Sequence, residues 1–307
     1  MTTRKLCEAG TRLLTILILM VSIILGSNAA WAGSIFLTGH DPDFHAQSGP
    51  AENPTGAQHI NQVAINFITD SAFNPFTSAT SKILFVESTG SIPAGHQQGA
   101  LGMNVSGFTN YDLVSASGLN AALNVLGTTY NAIVVASDFG GILTQAELNI
   151  LNSRSADIIN FLNAGGGLYA MAESNGGAGL TPSGGRYGFL PFVVSSTAFD
   201  QSESGITVTP FGQSLGLVNA DVNGNFSHNI FTSTGGMNAV DVDARGNILS
   251  LAVRSQITSG GVVSGVPEPT SMLLLGSGLA GLAVWRLRKC PPFRTLTSKI
   301  LEPLIID

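Results

Sequence analysis

Short apolar runs, each followed by a polar residue, recur through the first 174 residues of the chain. Five of them are "SIFLT" (34–38), "KILFVES" (82–88), "YDLVSA" (111–116), "NAIVVASD" (131–138) and "GGLYAMAES" (166–174). Because their apolar residues are consecutive rather than alternate, we expect both faces of each strand to be buried. The pattern predicts an α/β fold in which helices flank a mainly parallel sheet.

Segments with helical periodicity separate these strands. Apolar residues recur at helical spacing in "AQHINQVAINFI" (57–68), and "LNAALNVL" (119–126) is a shorter example. Before the fifth strand, Thr144 and Glu147 form a capping-box pattern that should begin a helix, and Gly165 should end it.

The pattern changes after the fifth strand, where turn residues separate shorter segments. "ITVTP" (206–210), "MNAVDV" (237–242) and "NILSLAV" (247–253) predict a C-terminal antiparallel β extension of the sheet that begins near residue 190, or a small β lobe on the same domain. We therefore expect one exported α/β domain over residues 33–255. The residues that follow, 256–265, are rich in Gly and Ser and predict a flexible linker.

Both ends of the chain are hydrophobic and carry basic residues. Residues 1–32 place three basic residues ahead of the apolar run "LLTILILMVSIILG" (13–26), and small residues follow in "AWA" (30–32). This order predicts a signal peptide, with the mature chain starting at Gly33. An uncleaved anchor helix is the alternative.

Near the other end, an apolar stretch of fifteen residues runs from 271 to 285. It is shorter than the roughly 20 residues of a typical spanning helix. Prolines precede it and basic residues follow it: Val266, Pro267, Glu268 and Pro269, then Arg286, Arg288 and Lys289. The basic side should stay in the cytoplasm, with the domain outside.

The order of V-P-E-P, apolar segment and basic cluster over residues 266–289 resembles the PEP-CTERM sorting signal of Gram-negative bacteria. The resemblance implies recognition by an exosortase, cleavage near residues 266–269, and delivery to the cell envelope or an exopolysaccharide matrix. An ordinary tail anchor is the alternative. Such chains usually stop soon after the basic cluster, whereas a short tail, 290–307, continues here.

Charge and cysteine content restrict the chemistry of the domain. Between residues 33 and 265, five Lys and Arg face fifteen Asp and Glu, a balance of −10. Such an acidic surface repels phosphate backbones and argues against nucleic acid as a partner. The two cysteines, Cys7 and Cys290, lie in the hydrophobic ends, so the domain has no disulfide, thiolate ligand or cysteine nucleophile.

The phrases "GHDPDFH" (39–45) and "AGGGLYAMAESNGG" (164–177), with the order of strands, resemble the class I glutamine amidotransferase-like fold. The resemblance covers residues 34–192 and implies an amidotransferase-like or flavodoxin-like sheet. In that family a turn after a central strand carries a cysteine nucleophile, and the corresponding position here is Glu173 or Ser174. Glutaminase activity is therefore disfavoured.

Polar residues follow the strands where a parallel sheet binds its ligands, outside the carboxyl ends. Four after the first strand have side chains suited to a divalent cation: His40, Asp41, Asp43 and His45. Three more are candidates for catalytic acids or bases, although no catalytic role is assigned: Glu87, Asp138 and Glu173. Ordinary helix caps and turns are the alternative for all seven.

These observations favour an exported, non-catalytic domain that binds a small ligand or a polysaccharide. Its expected partners are signal peptidase, an exosortase, the membrane and extracellular polysaccharide. A metal-assisted hydrolase with its site at the strand ends is the alternative function. His228, in "FSHNIF", is expected to make only a loop hydrogen bond.

Overall fold

The computed structural model describes residues 32–47, 52–92, 97–138, 140–171, 187–190, 194–198, 205–224 and 227–263. All of them belong to one compact unit, Ala30–Val266. The hydrophobic segments predicted within residues 1–32 and 266–289 lie outside the described residues. Within the described ranges, no helix combines the length and the apolar character that crossing a membrane requires.

The five predicted strands form one parallel array. They are β1 (Gly33–Thr38), β2 (Lys82–Val86), β3 (Tyr111–Val114), β4 (Tyr130–Val135) and β5 (Gly167–Met171). Their order across the sheet is β3-β2-β4-β5-β1, and every neighbouring pair in this array is parallel. The predicted α/β class with a parallel sheet is confirmed.

The position of β1 differs from the flavodoxin-like order. In that order the first strand of the chain lies second in the sheet. Here β2, β3, β4 and β5 follow the flavodoxin-like pattern among themselves, while β1 lies beyond β5. Strand order depends on which strands pair, and an apolar run does not encode its partner.

An antiparallel array continues the sheet from β1, as predicted. Its strands are β6 (Ser195–Ala198), β7 (Thr207–Val208), β8 (Asn229–Ser233), β9 (Asn238–Val242), β10 (Ile248–Thr258) and β11 (Gly261–Val263). Strand β10 is its centre and pairs with β1, β8, β9 and β11. The sequence did not predict β6, β8 or β11.

The flexible linker expected over residues 256–265 is wrong for residues 256–263. These residues form the end of β10 and all of β11, paired as a hairpin from Gln256↔Val263 to Thr258↔Gly261. Ile257 is buried in the core and Val262 packs against it. Ser259 and Gly260 form the turn of this hairpin, and Gly261 begins its second strand.

Helices cover both faces of the parallel array, with α2 (Pro54–Thr69) and α3 (Gly99–Val105) on one face and α4 (Ala116–Leu123), α5 (Gln145–Ser153) and α6 (Ser155–Asn163) on the other. The short helix α1 (Pro42–His45) packs against α2 and α3, and α7 (Pro210–Ser214) packs against β7 and β9 of the antiparallel array. The predicted capping box of Thr144 and Glu147 begins α5. The single helix expected before β5 is divided at Arg154, and Gly165, with φ of 99°, follows its second part.

The core consists of two apolar layers, one on each face of the sheet. Successive residues of a strand point to opposite faces, so Ile35 belongs to the layer under α4, α5 and α6, while Phe36 belongs to the layer under α2 and α3. Both side chains are fully buried. Burial on both faces explains why the parallel strands are apolar throughout. The packed strands also hold in place the loops that follow their carboxyl ends.

Candidate functional site

The loop after β1 places two of the predicted residues side by side. Pro42 occupies the first turn of α1, where its missing N–H costs nothing, and Asp41 precedes the helix. His45 lies one helical turn later, so that its Nε2 is 3.1 Å from Oδ1 of Asp41. Local sequence spacing alone produces this pair.

A third residue reaches the pair from the antiparallel array. The backbone N–H of His228 donates to the carbonyl of Gly39 at 2.8 Å, which aligns the segment before β8 with the end of β1. Nε2 of His228 then lies 2.9 Å from Oδ1 of Asp41. The three side chains are buried and offer ligand atoms within 4.8 Å of one another. We name Asp41, His45 and His228 the His–Asp–His cluster.

Contact between the side chains of the cluster changes the pKa values of Asp41 and His45. Burial alone would raise the pKa of Asp41, but the nearby His228 and His45 reverse this and lower it. Burial likewise opposes charge on His45, yet its contact with Asp41 raises the pKa of the imidazole. On the other side of the same ring, Nδ1 of His45 lies 3.1 Å from Oε2 of Glu52.

His40, one of the four predicted metal ligands, lies in a separate buried arrangement. Its Nε2 is 2.7 Å from Oδ2 of Asp241, and its Nδ1 is 2.8 Å from Oγ of Ser227. These contacts join the end of β1 to β9 and to the segment before β8. His40 therefore holds the end of β1 against β9 and the segment before β8, and it does not belong to the cluster itself.

Asp43, the fourth predicted ligand, is buried and binds backbone N–H groups. Its carboxylate accepts from Phe44 and from Ser137, each at 3.0 Å. Burial, with Asp41 and Glu87 nearby, raises the pKa of Asp43 to about 8. Its contact with Ser137 holds the loop after β4 against the loop after β1.

Glu87 has a similar role after β2. Its side chain accepts hydrogen bonds from the backbone of Gly99, and of Ala100 and Ile142 at 3.1 Å each. Burial raises the pKa of this carboxyl to about 7, and the backbone donors only partly offset that effect. Glu87 thus fixes the start of α3 and the loop after β4 at the place where the strand order reverses.

The acids after β1 and β2 lie close together. A Cβ atom added to Gly99 would lie 2.4 Å from Oδ2 of Asp43 and 3.1 Å from Oε1 of Glu87. Asp138 is buried just after β4. Glu173 lies outside the described residues.

Three residues of this region were not predicted as parts of a site: Ser227, His228 and Asp241. The expected role of His228 as a loop hydrogen-bonding residue understates its position, because its ring faces a buried carboxylate. The only local signal was a histidine beside a serine in "SHN". Their partners lie about two hundred positions earlier in the chain, beyond the reach of local spacing.

The molecule is thus an α/β protein with buried carboxylates and imidazoles at its strand ends. Comparison with known families shows how the protein is sorted, because residues 265–289 match the PEP-CTERM protein-sorting motif. The chain is therefore an exosortase target, exported and anchored at the membrane before processing. No curated protein matches the chain.

Proposed function

We propose that an exosortase cleaves this protein near Val266 to Pro269 and releases its α/β domain into the cell envelope or an extracellular matrix. The observation that carries the proposal is the sorting motif, which begins at residue 265. The last described strand, β11, ends at Val263. Cleavage at this place would leave every described strand in the released domain.

The released domain is proposed to bind a small ligand or a polysaccharide without catalysis, on an amidotransferase-like scaffold. The carboxylates of Asp43 and Glu87 support this view, because backbone N–H groups from neighbouring loops already occupy them. A general base must instead face its substrate. The domain also has no cysteine for the best-known reaction of that fold.

A metal-assisted hydrolase is the second candidate function. The contact of Asp41 with two imidazoles favours it, since two histidines and one carboxylate form a ligand set that occurs in hydrolytic zinc sites. Three protein ligands would leave a coordination position for the water that such an enzyme activates.

The processing step is tested by intact-mass analysis of the protein exported by its native host. We expect a chain that starts near Gly33 and ends within residues 266–269. Changing Glu268 to Ala should retain the uncleaved protein in the membrane fraction, whereas Thr258→Ala, in the preceding hairpin, should not. Release of a chain that extends to Asp307 would contradict the proposal.

Binding and hydrolysis are separated with exopolysaccharide purified from the same host. Co-sedimentation with the released domain at constant polymer length would support a binding module. Shortening of the polymer, lost in the Asp41→Asn variant, would favour the hydrolase. If the polymer is neither bound nor shortened, the polysaccharide is not the ligand.

A further inference from the structure

We propose that Asp41, His45 and His228 bind one divalent first-row transition-metal ion, with zinc as the best fit. The site joins the loop after β1 to the segment before β8. The proposal depends only on described residues and is independent of the sorting pathway.

The distances suit a shared ion. Oδ1 of Asp41 lies 3.1 Å from Nε2 of His45 and 2.9 Å from Nε2 of His228. Ligands bound to zinc at about 2.0–2.2 Å in a tetrahedral arrangement lie roughly 3.3–3.6 Å apart. The two rings are nearly parallel, with an interplanar angle of 26° and centroids 6.0 Å apart. Small side-chain adjustments would therefore place all three atoms around one ion.

The second nitrogen of His45 has the partner that zinc ligands usually have. Its Nδ1 lies 3.1 Å from Oε2 of Glu52. A histidine that binds a metal through one nitrogen commonly donates the other N–H to a carboxylate, which fixes the tautomer and the ring orientation. A neutral imidazole has only one N–H for the two carboxylates that flank His45. A cation at Nε2 would satisfy both sides of the ring.

The carboxylate of Asp41 is a buried acceptor that the described residues satisfy poorly. Neither of its oxygens accepts a hydrogen bond of good geometry from any described residue, although Oδ1 contacts the two imidazoles. The residue is 1% exposed. Because buried polar atoms are nearly always bonded, such a carboxylate needs an explanation. A metal ion would compensate both its charge and its free lone pairs.

The backbone around the cluster is rigid enough to hold an ion. His40 and Ser227 directly precede two of the ligands in the sequence, and they form an antiparallel bridge. Oγ of Ser227 is also hydrogen-bonded to Nδ1 of His40 at 2.8 Å, and Nε2 of His40 contacts Asp241 of β9. The ligands therefore project from two backbone segments that the His40–Ser227 bridge holds together, as precise metal geometry requires.

Two imidazoles and a carboxylate select a transition metal rather than calcium or magnesium, which prefer sites made only of oxygen. The three ligands fill three positions of a four-coordinate ion. The remaining position would take a water molecule or an oxygen of a bound ligand.

The experiment uses the full chain with Cys7 and Cys290 changed to serine, so that thiolates cannot bind the added metal. After treatment with a chelator, the protein is titrated with Zn²⁺ by calorimetry and with Co²⁺ by visible absorption. We expect one ion per chain and a Co²⁺ spectrum of nitrogen and oxygen ligation. His228→Gln should weaken binding by more than about a hundredfold, because loss of a ligand exceeds the 10–100-fold effect of losing an outer partner.

His59→Gln is the matched control. His59 also faces an aspartate, since its Nδ1 lies 2.8 Å from Oδ2 of Asp221, but it is more exposed and lies outside the cluster. This variant should bind Zn²⁺ as the parent chain does. Equal binding by the His228→Gln variant, or absence of Zn²⁺ binding by a folded parent chain, would overturn the proposal.

Glu52→Gln provides the second test if His228→Gln fails to fold. Glu52 is partly exposed, so its change should leave the fold intact while lowering Zn²⁺ affinity roughly 10–100-fold. Unchanged affinity and an unchanged Co²⁺ spectrum in this variant would contradict the proposed geometry. A lower affinity with one ion per chain would support it.

Discussion

The buried carboxyls Asp43 and Glu87 predict that the domain becomes less stable as the pH rises from about 4.5 to about 8. Their pKa values are raised to about 8 and about 7 in the folded state. In the unfolded chain they ionise near their ordinary values, about 3.9 and 4.3. Between those limits the folded state binds more protons, and stability then falls with increasing pH.

The magnitude follows from the shifts, at about 1.4 kcal/mol for each pKa unit. The shift in the pKa of Glu87 corresponds to about 4 kcal/mol and that of Asp43 to about 6 kcal/mol. Both are upper limits because a protein interior relaxes around a charge. The raised pKa of His45 acts in the same direction, since its stabilising protonation is lost at high pH. The lowered pKa of Asp41 acts only at acid pH. We expect a net loss of about 3 kcal/mol, well below the sum of these two limits.

The assay is thermal and urea unfolding, followed by circular dichroism in chelator-containing buffers from pH 4.5 to 9. A loss of about 3 kcal/mol lowers the Tm of a domain of this size by roughly 6–12 °C. Asp43→Asn should flatten the pH dependence, whereas Asp157→Asn, a control at a half-exposed carboxylate, should not. Stability that is constant or rises from pH 5 to 8 would show that the pKa values of Asp43 and Glu87 are not raised in the folded state.

Two further predictions concern packing around the candidate site. Gly102→Ala should lower the free energy of unfolding by about 3 kcal/mol or more, because the added Cβ would lie 1.8 Å from the carbonyl oxygen of Asp43. Gly118→Ala, in α4, is the control and should change the free energy of unfolding by no more than about 1 kcal/mol. Tyr169→Phe should cost about 1–2 kcal/mol, because the Tyr169 hydroxyl donates to Oδ1 of buried Asn61 at 3.0 Å. Urea unfolding measures each change. Equal stability of both glycine variants, or an unchanged Tyr169→Phe protein, would contradict the respective contact.

The parallel strands could be predicted because burial on both faces leaves a local mark, a continuous apolar run. The antiparallel strands were harder to predict. Strand β6 (Ser195–Ala198) contains three hydroxyl residues, and β11 (Gly261–Val263) has only three residues. Their strand character comes from pairing with β8 and β10, which local composition does not record.

The same distinction applies to the candidate site. Asp41 and His45 lie four residues apart after the same strand, so both could be named from the sequence as candidate ligands. His228 comes 187 positions after Asp41, and only the register of the bridge beside Gly39 brings it there. Asp43 and Glu87 were identified as strand-end acids, but their backbone partners required the loop conformations.

The central position of β1 has a consequence for the order of events during export. With the predicted amino-terminal signal leading, β1 is the first strand to cross the membrane, and its partner β10 is among the last. The two pair from Gly33↔Ser255 to Thr38↔Ser250. Such long-range contacts form slowly, and apolar strands stay exposed until they do. If that signal leads, the sheet can close only after nearly the whole domain has crossed, and folding would then finish on the far side of the membrane.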